Sequence, residues 1–153
     1  MSRFCLDVNV MDAKKILNPK GWLIGLGILV ILLASSNIAG SEEVAKISWG
    51  EDNIKGNEAA YEEMWALHLI PLGIMAIATA LIVKGKALSQ IAMAASGTVV
   101  VVIGGGMGFM TQRHDYGTSG GAATLIPLIV ILLVILLGVA GYMHKDDAEE
   151  SGE

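Results

Sequence analysis

Long apolar runs alternate with short polar connections along this chain. Four runs, 21–39, 64–83, 88–110 and 122–142, contain no Asp, Glu, Lys or Arg. A hydrocarbon core about 30 Å thick needs about 20 helical residues at roughly 1.5 Å each, and each run comes close to that length. Apolar residues do not alternate with period two within them, and lipid cannot satisfy free backbone N–H and C=O groups. Each run is therefore expected to be a helix rather than a barrel strand. The fold class that follows is all-α: a polytopic membrane protein with four transmembrane helices in a bundle.

Hydrophobic residues make up 54% of the chain and charged ones only 16%, with a mean hydropathy of +0.62. A water-soluble domain carries about 25% charged residues, so one membrane domain is expected over 21–142. Outer loops would cover 41–63 and 111–121, and an acidic, disordered tail 143–153, where Lys145 stands against Asp146, Asp147, Glu149, Glu150 and Glu153. Ahead of the first run, Leu6, Val10, Ala13 and Leu17 form one apolar stripe, which predicts a short helix on the membrane surface within 1–20, stopped at Asn18-Pro19. Residues 1–40 also fit a secretory signal peptide, with Lys14, Lys15 and Lys20 before an apolar stretch and small residues at Ser35, Ser36 and Ala39.

The order of the charges predicts topology. Arg3, Lys14, Lys15, Lys20, Lys84, Lys86 and Lys145 fall on one side of the four crossings, and Lys46, Lys55 and Arg113 on the other. Basic residues favour the cytoplasm, so both termini and the Lys84–Lys86 turn are expected there, in a plasma membrane. The acidic first loop then faces outward. Cys5 is the only cysteine, which excludes an intrachain disulfide. Trp22, Tyr61, Trp65 and Tyr142 fall at the expected headgroup levels.

The link between the second and third runs, Lys84-Gly85-Lys86-Ala87, is short enough to predict an antiparallel hairpin. Small residues stripe both partners: Gly73, Ala76 and Ala80 on the second, and Gly97, Gly104 and Gly108 on the third. Lipid gives helices little hydrophobic reason to associate, so such stripes predict close packing. Leu69-Ile70-Pro71-Leu72 recurs as Leu125-Ile126-Pro127-Leu128, which suggests two related helical hairpins. The fourth run is almost wholly Leu, Ile and Val and is expected to face lipid or a partner.

Candidate chemistry gathers at the outer ends. Met64 and His68 share a helix face, as do Met107, Met110 and His114; thioether and imidazole donors together suit a copper-like metal. Glu62, Glu63, Arg113 and Asp115 are expected to form a charged outer rim, with Arg113 paired to a carboxylate of the first loop. Gly104-Gly105-Gly106-Met107-Gly108 lacks the strand and the Lys of a phosphate loop and reads as helix packing. No catalytic constellation is present in the sequence, and no ionisable residue at depth suggests a proton relay. The expected role is a structural or accessory subunit of a larger membrane complex or a homo-oligomer in the lipid bilayer, not an enzyme and with no nucleic-acid partner. The alternatives are an outer-face metal binder or carrier using His68 and His114, and an oligomeric channel or small transporter.

Overall fold

The computed structural model describes residues 13–118 and 121–147, and among these every regular element is a helix. Helix α1 is Pro19–Ala39, α2 Ser41–Trp49, α3 Glu58–Ile82 and α4 Gly85–Thr98. A π-helical stretch, Val99–Gly104, joins α4 to α5 (Gly105–His114), and α6 is Ala122–Met143. Four helical segments are long and apolar enough to cross a membrane: Ala13–Ala39, Glu58–Ile82, Gly85–His114 and Thr124–Met143. The expected surface stripe falls mostly outside the described residues, as do Cys5 and the last residues of the acidic tail.

Local chemistry explains the ends of the first span. Asn18 caps α1, its side-chain oxygen accepting from the Lys20 amide at 2.9 Å, and Pro19 occupies the first turn, where its missing N–H costs nothing. The Asn18-Pro19 pair expected to stop one helix therefore also starts the next. The indole of Trp22 ties the preceding turn back by donating to the Ile16 carbonyl at 3.1 Å. The connection between the first and second spans contains α2, and the second span reaches back to Glu58 rather than beginning near Met64.

The spans pack as two pairs, first with second and third with fourth. In the first pair Gly27 lies against Gly73: a Cβ on either would stand 2.7 Å from the carbonyl oxygen of the other. In the second pair Ser89, Ala92 and Ser96 are buried on the third span, where Gly138 and Gly141 of α6 meet them. The Ser96 hydroxyl donates to the Val134 carbonyl at 2.8 Å, so a buried polar side chain is satisfied across the pair.

This pairing corrects the expected hairpin. The second span makes little contact with the third, although only the short turn after Ile82 separates them. Gly73 and Ala80 are buried as expected of a packing stripe, but the partner of Gly73 is on the first span. On the third span a Cβ at Gly97 or Gly108 would meet nothing within 4 Å, and one at Gly104 only Ile131, at 3.6 Å. Serine and alanine of α4 face the neighbouring helix, whereas Gly97 lies exposed on another face of α4 and Gly104 and Gly108 fall in and beyond the π-helical turn.

Both ends of the described chain meet at one end of the molecule. Lys14 bridges to Asp147 at 2.7 Å, and the His144 ring lies between Asp147, at 2.6 Å from Nδ1, and the Lys14 carbonyl, at 3.1 Å from Nε2. The start of the tail is thus engaged rather than free in solvent. Leu23, Leu26, Ala80, Leu88, Ala92, Val134 and Leu137 form a core that joins all four spans, and towards the opposite, loop end the pairs separate.

Candidate functional site: a crevice with a buried carboxylate

Between the two helix pairs runs a crevice of about 560 Å³, within the range of small-molecule sites. Its walls are apolar: Gly27 and Val30 of the first span, Leu69, Leu72 and Ala76 of the second, Ala95, Val99 and Ile103 of the third, Val130 and Ile131 of the fourth. Core residues Leu23, Leu26, Val134 and Leu137 close its floor. Val99 and Ile103 belong to the π-helical segment, a form found mostly as single turns and often at functional sites.

Several lining side chains also reach the outer surface of the protein. Leu72 is 51% exposed and Met75 62%, and both sit on the second span, which leans on the first alone among the long helices. The crevice therefore opens sideways, between the second span and the third and fourth, onto an apolar exterior.

Its polar end is at the loops. Asn37 from the end of α1, Ser48 from α2, Glu62 from the first turns of α3 and Tyr116 from the last loop all line it. Glu62 is 3% exposed. One oxygen, Oε1, accepts from the Trp49 indole at 3.1 Å and from the Tyr116 hydroxyl at 3.0 Å, while Oε2 has no partner among the described residues. Asn37 Oδ1 is likewise buried without a donor. The Trp49 and Tyr116 donors are thus both spent on one oxygen of Glu62, leaving Oε2 and Asn37 Oδ1 as undonated acceptors at the head of the crevice.

Aromatic rings brace this end. The Trp49 ring meets Tyr116 edge-on at 5.2 Å and lies 6.5 Å from both Tyr61 and His114, contacts in the range of favourable ring pairs. The Gly117 amide donates to the Ser48 carbonyl at 2.6 Å, which docks the last loop on α2. Burial and the neighbouring negative charge of Glu62 push the Tyr116 phenol up to about 12 from an ordinary 10.0, although the Ser48 hydroxyl beside it works the other way.

The residues singled out from sequence are placed differently from one another. Glu62 is not part of an exposed rim but turns inward. Glu63 accepts from the buried Ser41 hydroxyl at 2.8 Å, and Asp115 is exposed, its left-handed backbone ending α5. Arg113 lies 5.2 Å over the Phe109 ring, one turn back on its own helix, and pairs with no carboxylate among the described residues. A neighbour on the same helix is reached without ordering a loop, and an exposed ion pair would have contributed little.

Of the metal candidates, Met107 lines the crevice and Met110 is half-buried. Met64 is exposed, and the exposed His68 ring meets the Met64 carbonyl through Nδ1. His114 is turned towards Trp49. Among the described residues no three His, Cys, Asp or Glu side chains are grouped to hold a metal ion.

Asn37, Ser48 and Tyr116 were not singled out from sequence. Asn37 had a visible signal, a carboxamide beside Ser35-Ser36 at the end of an apolar run, since polar groups there usually mark a site or a helix contact. No family model, curated protein or solved structure matches the chain.

Proposed function

We propose that this is an integral membrane binding protein, a four-helix bundle with both termini cytoplasmic, that takes up a single-chain amphiphile from the surrounding lipid. The observation that carries the reading is the crevice itself, an apolar slot opening sideways and capped at one end by the buried Glu62 carboxylate. Lipid tails already occupy the medium outside that opening, so an apolar chain enters without crossing water. Its polar head then lies at Glu62, Asn37, Ser48 and Tyr116, near the level of the outer headgroups. Orientation follows from the excess of Lys and Arg at the termini and at the Lys84–Lys86 turn.

The test is native mass spectrometry of the protein released from nanodiscs, with Ala95→Phe as the crevice-filling variant. One amphiphile per chain is expected on the wild type and none on a folded Ala95→Phe. Equal occupancy of the two would overturn the reading.

An accessory role in a larger membrane complex is the second reading. It is favoured by the fourth span, on which Leu125, Leu128, Ile129, Leu132, Leu136 and Val139 are exposed along one helix. A co-migrating protein in mild detergent, lost on substitution of Leu128 and Leu132 by Ala, is the expected result.

A further inference from the structure

The crevice suggests an amphiphile; the atoms at its polar end suggest which head it carries. We infer that the occupant bears a protonated amine, an alkylammonium head, held by the free Glu62 oxygen and by Asn37 Oδ1. This rests on the crevice being a binding site, and it selects among the amphiphiles such a site could take.

The acceptors at the head of the crevice can be followed. The Trp49 indole N–H and the Tyr116 hydroxyl both donate to Glu62 Oε1. Glu62 Oε2 receives nothing from the described residues, on a side chain that is 3% exposed. Asn37 Oδ1 has no donor and is shut away from solvent. A buried acceptor left unpaired is costly, and more so when it is charged. Asn37 Oδ1 is such an atom, and Glu62 Oε2 is a second acceptor at the same crevice without a donor among the described residues, so both can take donors from outside the chain.

Charge narrows the choice. Among the described residues no Lys or Arg lines the crevice, so none of them offers the negative charge of Glu62 a cationic partner there. Arg113, the basic residue close in sequence to Tyr116, lies over Phe109 instead. An ammonium group brings three N–H donors and no acceptor, which matches the undonated acceptors Glu62 Oε2 and Asn37 Oδ1, and its charge matches the carboxylate. An alcohol brings one donor and no charge. A carboxylate head would set a second anion beside Glu62 and bring no donor at all.

The experiment places the full chain in nanodiscs of uncharged phosphatidylcholine near neutral pH and titrates dodecylamine, 1-dodecanol and dodecanoate. Emission of Trp49, whose indole bonds Glu62, reports occupancy of the head site, with Trp22 and Trp65 replaced by Phe and empty nanodiscs as the blank. Dodecylamine is expected to saturate at a concentration at least tenfold below dodecanol, and dodecanoate not to saturate. Glu62→Gln is expected to bring dodecylamine to the level of dodecanol. Asn37→Leu, which leaves the Trp49 and Tyr116 bonds in place, is expected to weaken dodecylamine severalfold, and it serves if Glu62→Gln does not fold.

Equal saturation by dodecylamine and dodecanol in the wild type would overturn the ammonium assignment while leaving the crevice as an amphiphile site. Saturation by dodecanoate at the lowest concentration would do the same. Failure of all three to saturate would remove the binding reading with it.

Discussion

Gly27 and Gly73 oppose each other so closely that each stands where the other helix's carbonyl leaves no room for a side chain. The surroundings are reciprocal: a Cβ on Gly27 would lie 2.7 Å from Ile77 Cγ1, and a Cβ on Gly73 2.7 Å from Ile31 Cγ1. Two antiparallel helices thus share a glycine followed one turn later by an isoleucine, each isoleucine covering the opposite glycine. In a bilayer, dispersion between such close backbones would stand in for the hydrophobic drive that lipid removes.

Gly27→Leu and Gly73→Leu should therefore each force the pair apart. Inserting side-chain volume into packed helices costs about 1–3 kcal/mol, and here the obstacle is backbone, which yields less than a side chain. The measurement is the folded fraction on titration of detergent-solubilised protein with sodium dodecyl sulfate. Gly97→Ala and Gly108→Ala, where a Cβ meets nothing within 4 Å, should leave the midpoint unchanged or raise it slightly. Equal losses at all four positions would contradict the pairing of the first and second spans.

The second pair offers a rescue test. A Cβ on Gly138 would come within 2.5 Å of Ser96 Oγ, a contact made by one side chain rather than by backbone. Gly138→Ala alone is expected to destabilise by roughly 1–2 kcal/mol, and the double change Gly138→Ala with Ser96→Gly to recover part of that loss. Simple additivity in the same detergent titration would mean that the two residues do not touch.

Tyr116 predicts an alkaline signature. Its phenol is raised from 10.0 to about 12, so its contribution to stability is fully present below pH 10.0 and is lost as pH rises towards 12. The unfolded chain ionises first, which makes its release favourable over that interval. Absorbance titration of the phenolate should show one late step near 12 that is absent in Tyr116→Phe. Its persistence in that variant would show that Tyr116 is not the group held back by Glu62.

Asp147 predicts the opposite sign at the other end of the molecule. The hydrogen bond from Lys14, then that from His144, holds its carboxyl below the ordinary 3.8. The stabilisation is present above 3.8 and is lost as pH falls through the lower folded value. Because both partners are more than a third exposed, Asp147→Asn should cost only about 0.2–1 kcal/mol near neutrality. Thermal unfolding at about pH 7 and about pH 3 should show the difference between wild type and variant shrinking at the lower pH. A difference that grew in acid would refute the arrangement.

The helices were legible because length and uninterrupted apolarity suffice to specify a crossing, and Asn18-Pro19 carries its own capping chemistry. Pairing was not legible. Small residues occur on all four spans, and nothing in the sequence says that Gly73 meets Gly27 while Gly108 meets nothing. A turn as short as Lys84-Gly85-Lys86-Ala87 brings two helix ends together, yet it does not oblige the helices to stay in contact along their lengths. The same held for the site. Glu62 was visible as one of several outer carboxylates, but its inward turn depends on Trp49 and Tyr116, which lie 13 and 54 positions away and reach it only through the fold.

Lys14 and Asp147 stand 133 positions apart in the chain and 2.7 Å apart in space. Synthesis runs from one to the other, so the clasp they form with His144 closes only after the fourth span has emerged. Until then the earlier helix pair must hold together by its own contacts, Gly27 against Gly73 among them. A chain truncated before the last helix would lack both its clasp and one wall of its slot, which ties completion of translation to completion of the ligand cradle.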